Sequence, residues 1–290
     1  MDFTWVKRKD CKVLLQDSTL VPLVQTKNSW VDKFALKYTY TLGFCPICGQ
    51  LTIFLVFNDN LRESGRCIVC HSTNRNRQMA VILLGAIEEV KGLKFRSIKD
   101  FVAKAHRLEQ LADFKIYNTE TTGCLHNLLK ELPNYTASEY LSMEYTSGEV
   151  INGILHQDLT KTSFADNSFD VVLSSDVFEH IPKPYEGFQE IYRILKCGGR
   201  HIFTVPFYSD RYQDEVRCKL QEDGSIHHIL PPVYHGDPIR TEGILVYVIF
   251  SLEMLVKLSN FGYNSRMYNV KNYWYGILGY SAIVFDTVKI

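Results

Sequence analysis

Apolar residues along this chain change their rhythm near position 113. Beyond it, short apolar runs alternate with stretches of helical periodicity, the pattern of a largely parallel sheet covered by helices on both faces. The runs predict strands at 114–118, 135–139, 153–156, 169–174 and 200–205, with two more near 265–270 and 280–287. Helices are predicted over 124–132, 184–195 and 244–260. In the second helix Phe188, Ile191, Tyr192 and Leu195 form one apolar stripe. Lys196 then supplies a cation near its end, and Gly198-Gly199 can take a left-handed cap. The expected fold class is α/β, a Rossmann-like doubly wound sheet of seven strands.

Ahead of residue 113 the organising residues are cysteines. Cys45 and Cys48 form one C-x2-C pair and Cys67 and Cys70 a second, with eighteen residues between them. That spacing predicts a four-thiolate zinc ribbon, because two intervening residues let both sulfurs of a pair turn toward one ion. Four thiolates leave no open coordination position, so the zinc would be structural. Arg75-Asn76-Arg77 leads into an apolar run at 79–87 and reads as a helix start that docks the ribbon onto the following domain.

Charge narrows the partners. The 290 residues carry 32 basic and 32 acidic side chains, so no global field draws in a polyanion, and nucleic acid is not expected as a partner. The first residues show no apolar run of signal-peptide length. The most apolar stretch, 244–256, is thirteen residues long and includes Glu253, too short and too polar to span a bilayer. A cytoplasmic protein is expected, with its eight cysteines as thiols and no membrane partner.

In a doubly wound sheet, ligands sit beyond the carboxyl ends of the strands. Here the first strand runs into Thr119-Glu120-Thr121-Thr122-Gly123, the second into Glu139, the third into Asp158-Leu159 and the fourth into Ser175-Asp176. Glu139 follows Gly123 by sixteen residues, where an acid can accept both hydroxyls of a ribose. Asp158 lies nineteen further on, where a carboxylate can accept from an adenine amine with Leu159 against the ring.

The runs at 164–172, at 176–182 (Asp176-Val177-Phe178-Glu179-His180-Ile181-Pro182) and at 193–199 closely resemble class I S-adenosylmethionine (SAM) dependent methyltransferases. The chain looks like the branch in which a C-x2-C pair precedes the catalytic domain. The resemblance implies that the loop 119–123 cradles the methionine end of SAM, that Glu139 holds the ribose, and that Asp158 and Leu159 frame the adenine. It also implies that Ser175 to His180 line the pocket near the sulfonium. The chain departs from the family at the first loop, where Thr119 and Thr121 replace two glycines of a G-x-G-x-G pattern and Tyr117 stands in place of an acid. Threonine side chains crowd a ligand that glycine would admit. Their hydroxyls can instead donate to the cofactor carboxylate while Glu120 pairs with its ammonium.

The expected domains are an N-terminal segment at 1–40, the zinc ribbon at 41–80, a helical linker at 81–112 and a methyltransferase domain at 113–290. Within the last, 208–243 is too long for a simple connection and reads as a substrate lid. His180 is the first candidate for general base, with His235 and Asp237 of a His-Gly-Asp turn as further catalytic candidates. The expected reaction is methyl transfer to a hydroxyl or amine of a small molecule such as a sugar or secondary metabolite. Two alternatives stay open: a methyltransferase fold that has lost SAM, and a macromolecule-directed enzyme that docks through the ribbon.

Overall fold

A computed structural model describes residues 13–14, 40–57, 59–236, 243–278 and 283–290. Three antiparallel strands, β2 (Tyr40–Phe44), β3 (Leu51–Leu55) and β4 (Arg66–Cys67), follow the short β1 (Val13–Leu14). Helices α1 (Asn74–Lys91) and α2 (Ile98–Ala105) lead into the alternating part. There β5 (Ile116–Asn118), α3 (Gly123–Leu129) and β6 (Tyr135–Ala137) precede the hairpin of β7 (Val150–Ile151) and β8 (Ile154–Leu155). Next come β9 (Phe169–Ser175), α4 (Pro184–Ile194) and β10 (Leu195–Thr204).

The main sheet has the order β1-β18-β19-β10-β9-β5-β6, where β18 is Tyr263–Tyr268 and β19 is Val284–Lys289. Neighbours from β6 to β10 run parallel, and β19 runs antiparallel to both β10 and β18. A central strand flanked on both faces should be apolar throughout. Accordingly six of the seven residues of β9 are buried, Asp170 being the exception. Successive side chains enter opposite layers. Ile116, Val171 and Ile202 join a core with α1 and α2, while Tyr117, Val172 and Phe203 join another with α4 and α5 (Leu252–Asn260). The first core also contains Phe54, Cys45 and Cys67, so the ribbon and the sheet share one apolar interior.

Segment 205–251 forms small sheets of its own. Strand β17 (Val248–Ser251) lies between β11 (Phe207–Tyr208) and β12 (Glu215–Val216). The strands β13 (Cys218–Leu220) and β14 (Ile226–His228) make a hairpin, and β15 (Tyr234–His235) pairs with β16 (Ile244–Leu245).

Three local expectations change. The helix expected over 244–260 begins only at Leu252. Val248, Ile249 and Phe250 suit a pleated surface and find strand partners on both sides, leaving Ser251 extended at the helix start (φ −146°). The strand expected at 153–156 folds back on β7 and meets the sheet through one parallel bridge, Glu139 to His156. The seventh place is taken by β1, which lies ahead of the ribbon. Helix α4 ends at Ile194, and Gly198 takes its left-handed conformation (φ +75°) inside β10, where the register with β9 shifts between Leu195 and Arg200.

The ribbon is fastened to the sheet by the start of α1. Thr73 and Asn76 form a capping box there. Arg77 is fully buried, stacks over the Phe54 ring at 4.4 Å, and donates to the carbonyls of Ser72, Gly65 and Gly276. Asn74 donates to Leu278 O at 2.7 Å and accepts from Leu278 N at 3.1 Å. No helix among the described residues is long and apolar enough to cross a membrane.

Candidate functional site

The sulfurs of Cys45, Cys48, Cys67 and Cys70 lie within 4.8 Å of one another, with Cys45 to Cys70 at 3.7 Å and Cys48 to Cys67 at 4.0 Å. A tetrahedral ion with metal–sulfur bonds of about 2.3 Å requires sulfur–sulfur edges of about 3.8 Å, so the donor set fits zinc in kind and size.

At the carboxyl edge of the sheet, loop 119–123 folds against Glu139. Glu139 Oε1 accepts from the Thr121 backbone N–H at 2.7 Å and from the Thr121 hydroxyl at 2.9 Å. The hydroxyl of Thr119 is buried and has no hydrogen-bond partner among the described residues. Thr122 stands extended at the start of α3 and makes no side-chain cap. Gly123 has φ +87°, with nothing within 4 Å of where a Cβ would project. Tyr117 is a core residue: its hydroxyl meets Ser138 Oγ at 2.7 Å and its ring packs on Phe164 and Phe169.

Burial pushes the Glu120 carboxyl up to about 7 against the pull of Arg75, and Glu139, Asp176 and Glu63 reinforce the rise. Asp158 turns back on its own loop, Oδ1 accepting from the Thr160 N–H and hydroxyl, both at 2.8 Å. Leu159 beside it is buried.

Asp176 adopts φ +55° and is held by the ribbon. Arg62 donates to its Oδ1, Arg75 Nε lies 3.6 Å from Oδ2, and the Thr204 hydroxyl donates to Oδ1 at 3.0 Å. Burial alone would raise its pKa, but the two guanidinium charges outweigh that and hold it at about 2. Arg75 also donates to the Ser175 hydroxyl and to Glu63 Oε1, the latter at 2.6 Å. Sequence reasoning placed Arg75 at a helix start but missed that Arg62 and Arg75 reach this crevice, since nothing in the residue spacing reports a contact across the interface.

His180 and His235 come together although 55 residues separate them: their ring centroids are 5.0 Å apart at 88°. Between them stands Glu179, fully buried, which sequence reasoning included in the pocket-lining run Ser175 to His180 but gave no role of its own. Asp237 lies outside the described residues.

A family model described as a methyltransferase domain matches residues 122–203, the stretch from Gly123 through β10. The main sheet has a parallel centre and one antiparallel strand, and residues 122–203 within it are what the methyltransferase-domain model matches. Phosphoethanolamine N-methyltransferase 2 of Caenorhabditis elegans is 48% identical over 42 residues, 14% of this chain and 10% of that protein. Arsenite methyltransferase of Aquipseudomonas alcaligenes is 38% identical over 61 residues, 21% and 18% of the two chains. The chain thus matches less than a fifth of the length of either relative. A solved SAM-dependent methyltransferase from Mesorhizobium loti aligns with 66% of this chain and 98% of its own at 13% identity and a TM-score of 0.38, a likeness that carries nothing about function.

Proposed function

We propose that this chain is a SAM-dependent methyltransferase acting on a hydroxyl or amine of a small molecule, a sugar or a secondary metabolite, with a structural zinc in the four-cysteine cluster. The observation that carries the reading is loop 119–123. It follows β5 at the carboxyl edge of the sheet and combines a buried Thr119 hydroxyl that has no hydrogen-bond partner among the described residues with open space at Gly123. Both features suit a ligand laid over the loop.

SAM, when bound, supplies an electrophilic methyl group on a sulfonium that departs as a neutral thioether. Thr119 and Glu120 face its amino acid end, Glu139 its ribose, and Asp158 with Leu159 its adenine. Ser175 and Asp176 close the floor, with Arg62 and Arg75 neutralising Asp176. His180 and His235 border the acceptor side, and in the metal-free state an imidazole there removes the acceptor proton as the new bond to carbon forms. Holding donor and acceptor in line supplies much of the remaining rate. The segment 208–243, which brings His235 to His180, serves as the acceptor lid. No disulfide joins the described cysteines, which suits a cytoplasmic setting.

Calorimetric titration of the zinc-loaded protein with SAM and with S-adenosylhomocysteine tests the proposal. Micromolar binding of both is the expected result; a folded, zinc-loaded protein that binds neither defeats it. In the same assay Glu139→Ala weakens binding by about tenfold or more, the cost of losing charged hydrogen bonds to a diol. Unchanged affinity would remove Glu139 from the ribose site.

A further inference from the structure

Glu179 presents a physical problem that the methyl-transfer reading leaves unsolved. Its side chain is wholly buried, and neither carboxylate oxygen has a hydrogen-bond partner among the described residues. An uncompensated buried carboxylate costs several kcal/mol, so such groups are paired or hold a metal. The nearest candidates are two imidazole nitrogens, His235 Nδ1 at 3.4 Å and His180 Nε2 at 3.7 Å from Oε1.

From this arrangement we infer that Glu179, His180 and His235 bind a divalent transition-metal cation, a second metal site separate from the four cysteines. The ligating atoms of the three residues lie within 4.8 Å of one another. Bonds of about 2.0–2.1 Å in a tetrahedral site place ligand atoms about 3.4 Å apart, close to the two separations from Glu179.

The imidazoles are oriented for the task. His180 Nδ1 lies 2.8 Å from the carbonyl oxygen of Leu245, so the proton sits on Nδ1 and the lone pair of Nε2 faces Glu179. A backbone carbonyl that fixes the tautomer of a ligating histidine is the usual support of a metal site. Glu179 is anchored too: its backbone carbonyl accepts from Tyr247 N at 2.7 Å. Tyr247 adjoins β16 and β17, so one short stretch of chain positions both residues.

Two imidazoles and one carboxylate form a donor set of borderline softness, suited to Zn2+, Fe2+, Co2+ or Ni2+ over Mg2+ or Ca2+. Three protein ligands leave at least one position open to water or another oxygen ligand. The site depends on 208–236 folding against the sheet, because His235 belongs to that segment and the other two ligands to the turn after β9. Occupancy therefore pins the segment to the carboxyl edge of the sheet.

The test uses the full chain, freed of metal and titrated with Co2+ in the absence of SAM, so its result is independent of cofactor binding. Elemental analysis after dialysis is expected to find two ions per chain. The visible spectrum should show one ion with thiolate charge-transfer bands and a second with nitrogen and oxygen ligands only. His235→Ala, on a partly exposed two-residue strand, should keep the thiolate bands and lower the affinity for the second ion by a factor of about 100 or more, as loss of a ligand exceeds the usual outer-shell effect. A single, all-thiolate ion in the wild-type protein at saturating Co2+ and Zn2+ overturns the inference. So does a second ion whose affinity is unchanged in both His235→Ala and His180→Ala.

Discussion

Glu120 and Asp176 both stand near Arg75, yet their environments push them in opposite directions. Asp176 has both guanidinium groups beside it and stays ionised, held at about 2. Glu120 is pushed up to about 7 by burial and by neighbouring acids, with Arg75 opposing, so at neutral pH it is partly protonated. Only the ionised form can pair with a ligand ammonium. In the proposed enzyme SAM affinity therefore rises several-fold between about pH 6 and pH 8, and calorimetry of Glu120→Gln should show the rise abolished.

Among elements, the contact between ribbon and sheet is where a small change has the largest consequence. Gly276 has φ +64°, and a Cβ there would lie 2.4 Å from the Phe54 ring on which Arg77 stacks. Gly276→Ala is expected to destabilise the protein by about 2–4 kcal/mol, through a strained left-handed residue and an overfilled core, measurable by denaturant unfolding. The second tie is Asp176, whose ordinary value of 3.8 falls to about 2 beside Arg62 and Arg75. A depressed carboxyl contributes stability that is present above about pH 4 and lost as pH falls toward about 2. At neutral pH Asp176→Asn should cost about 2 kcal/mol, and the difference from wild type should shrink through that acid window. Asparagine tolerates the positive φ of this position, so the substitution isolates the charge.

For the molecule as a whole, the shared core joins the ribbon to the sheet that carries the proposed cofactor site. Its cysteines form the candidate zinc site, and Arg62 and Arg75 leave the same module to grip Asp176. Losing the ion should loosen both. Cys48→Ser is expected to release zinc and lower the melting temperature by at least several degrees. It should also weaken SAM binding, although the residue lies in the ribbon. Full zinc retention by the variant would refute the four-cysteine site, and unchanged SAM affinity after zinc loss would refute the coupling through Arg62 and Arg75.

Periodicity and spacing by themselves determined the alternating α/β architecture, the place of β5, β6, β9 and β10, and the four cysteines as one cluster. These are local properties: an apolar run buried on both faces, or two residues between paired thiols, are written in consecutive positions. Tertiary structure decided the rest. Residues 248–251 became strand because partners at 207–208 and 215–216 offered hydrogen bonds that an isolated stretch does not reveal. The last place in the sheet went to β1 through a pairing with β18 some 250 residues away. Likewise Arg75 meets Asp176, and Glu179 meets His235, only because the chain returns to the same edge of the sheet. Such meetings depend on long-range closure, which no window of sequence encodes.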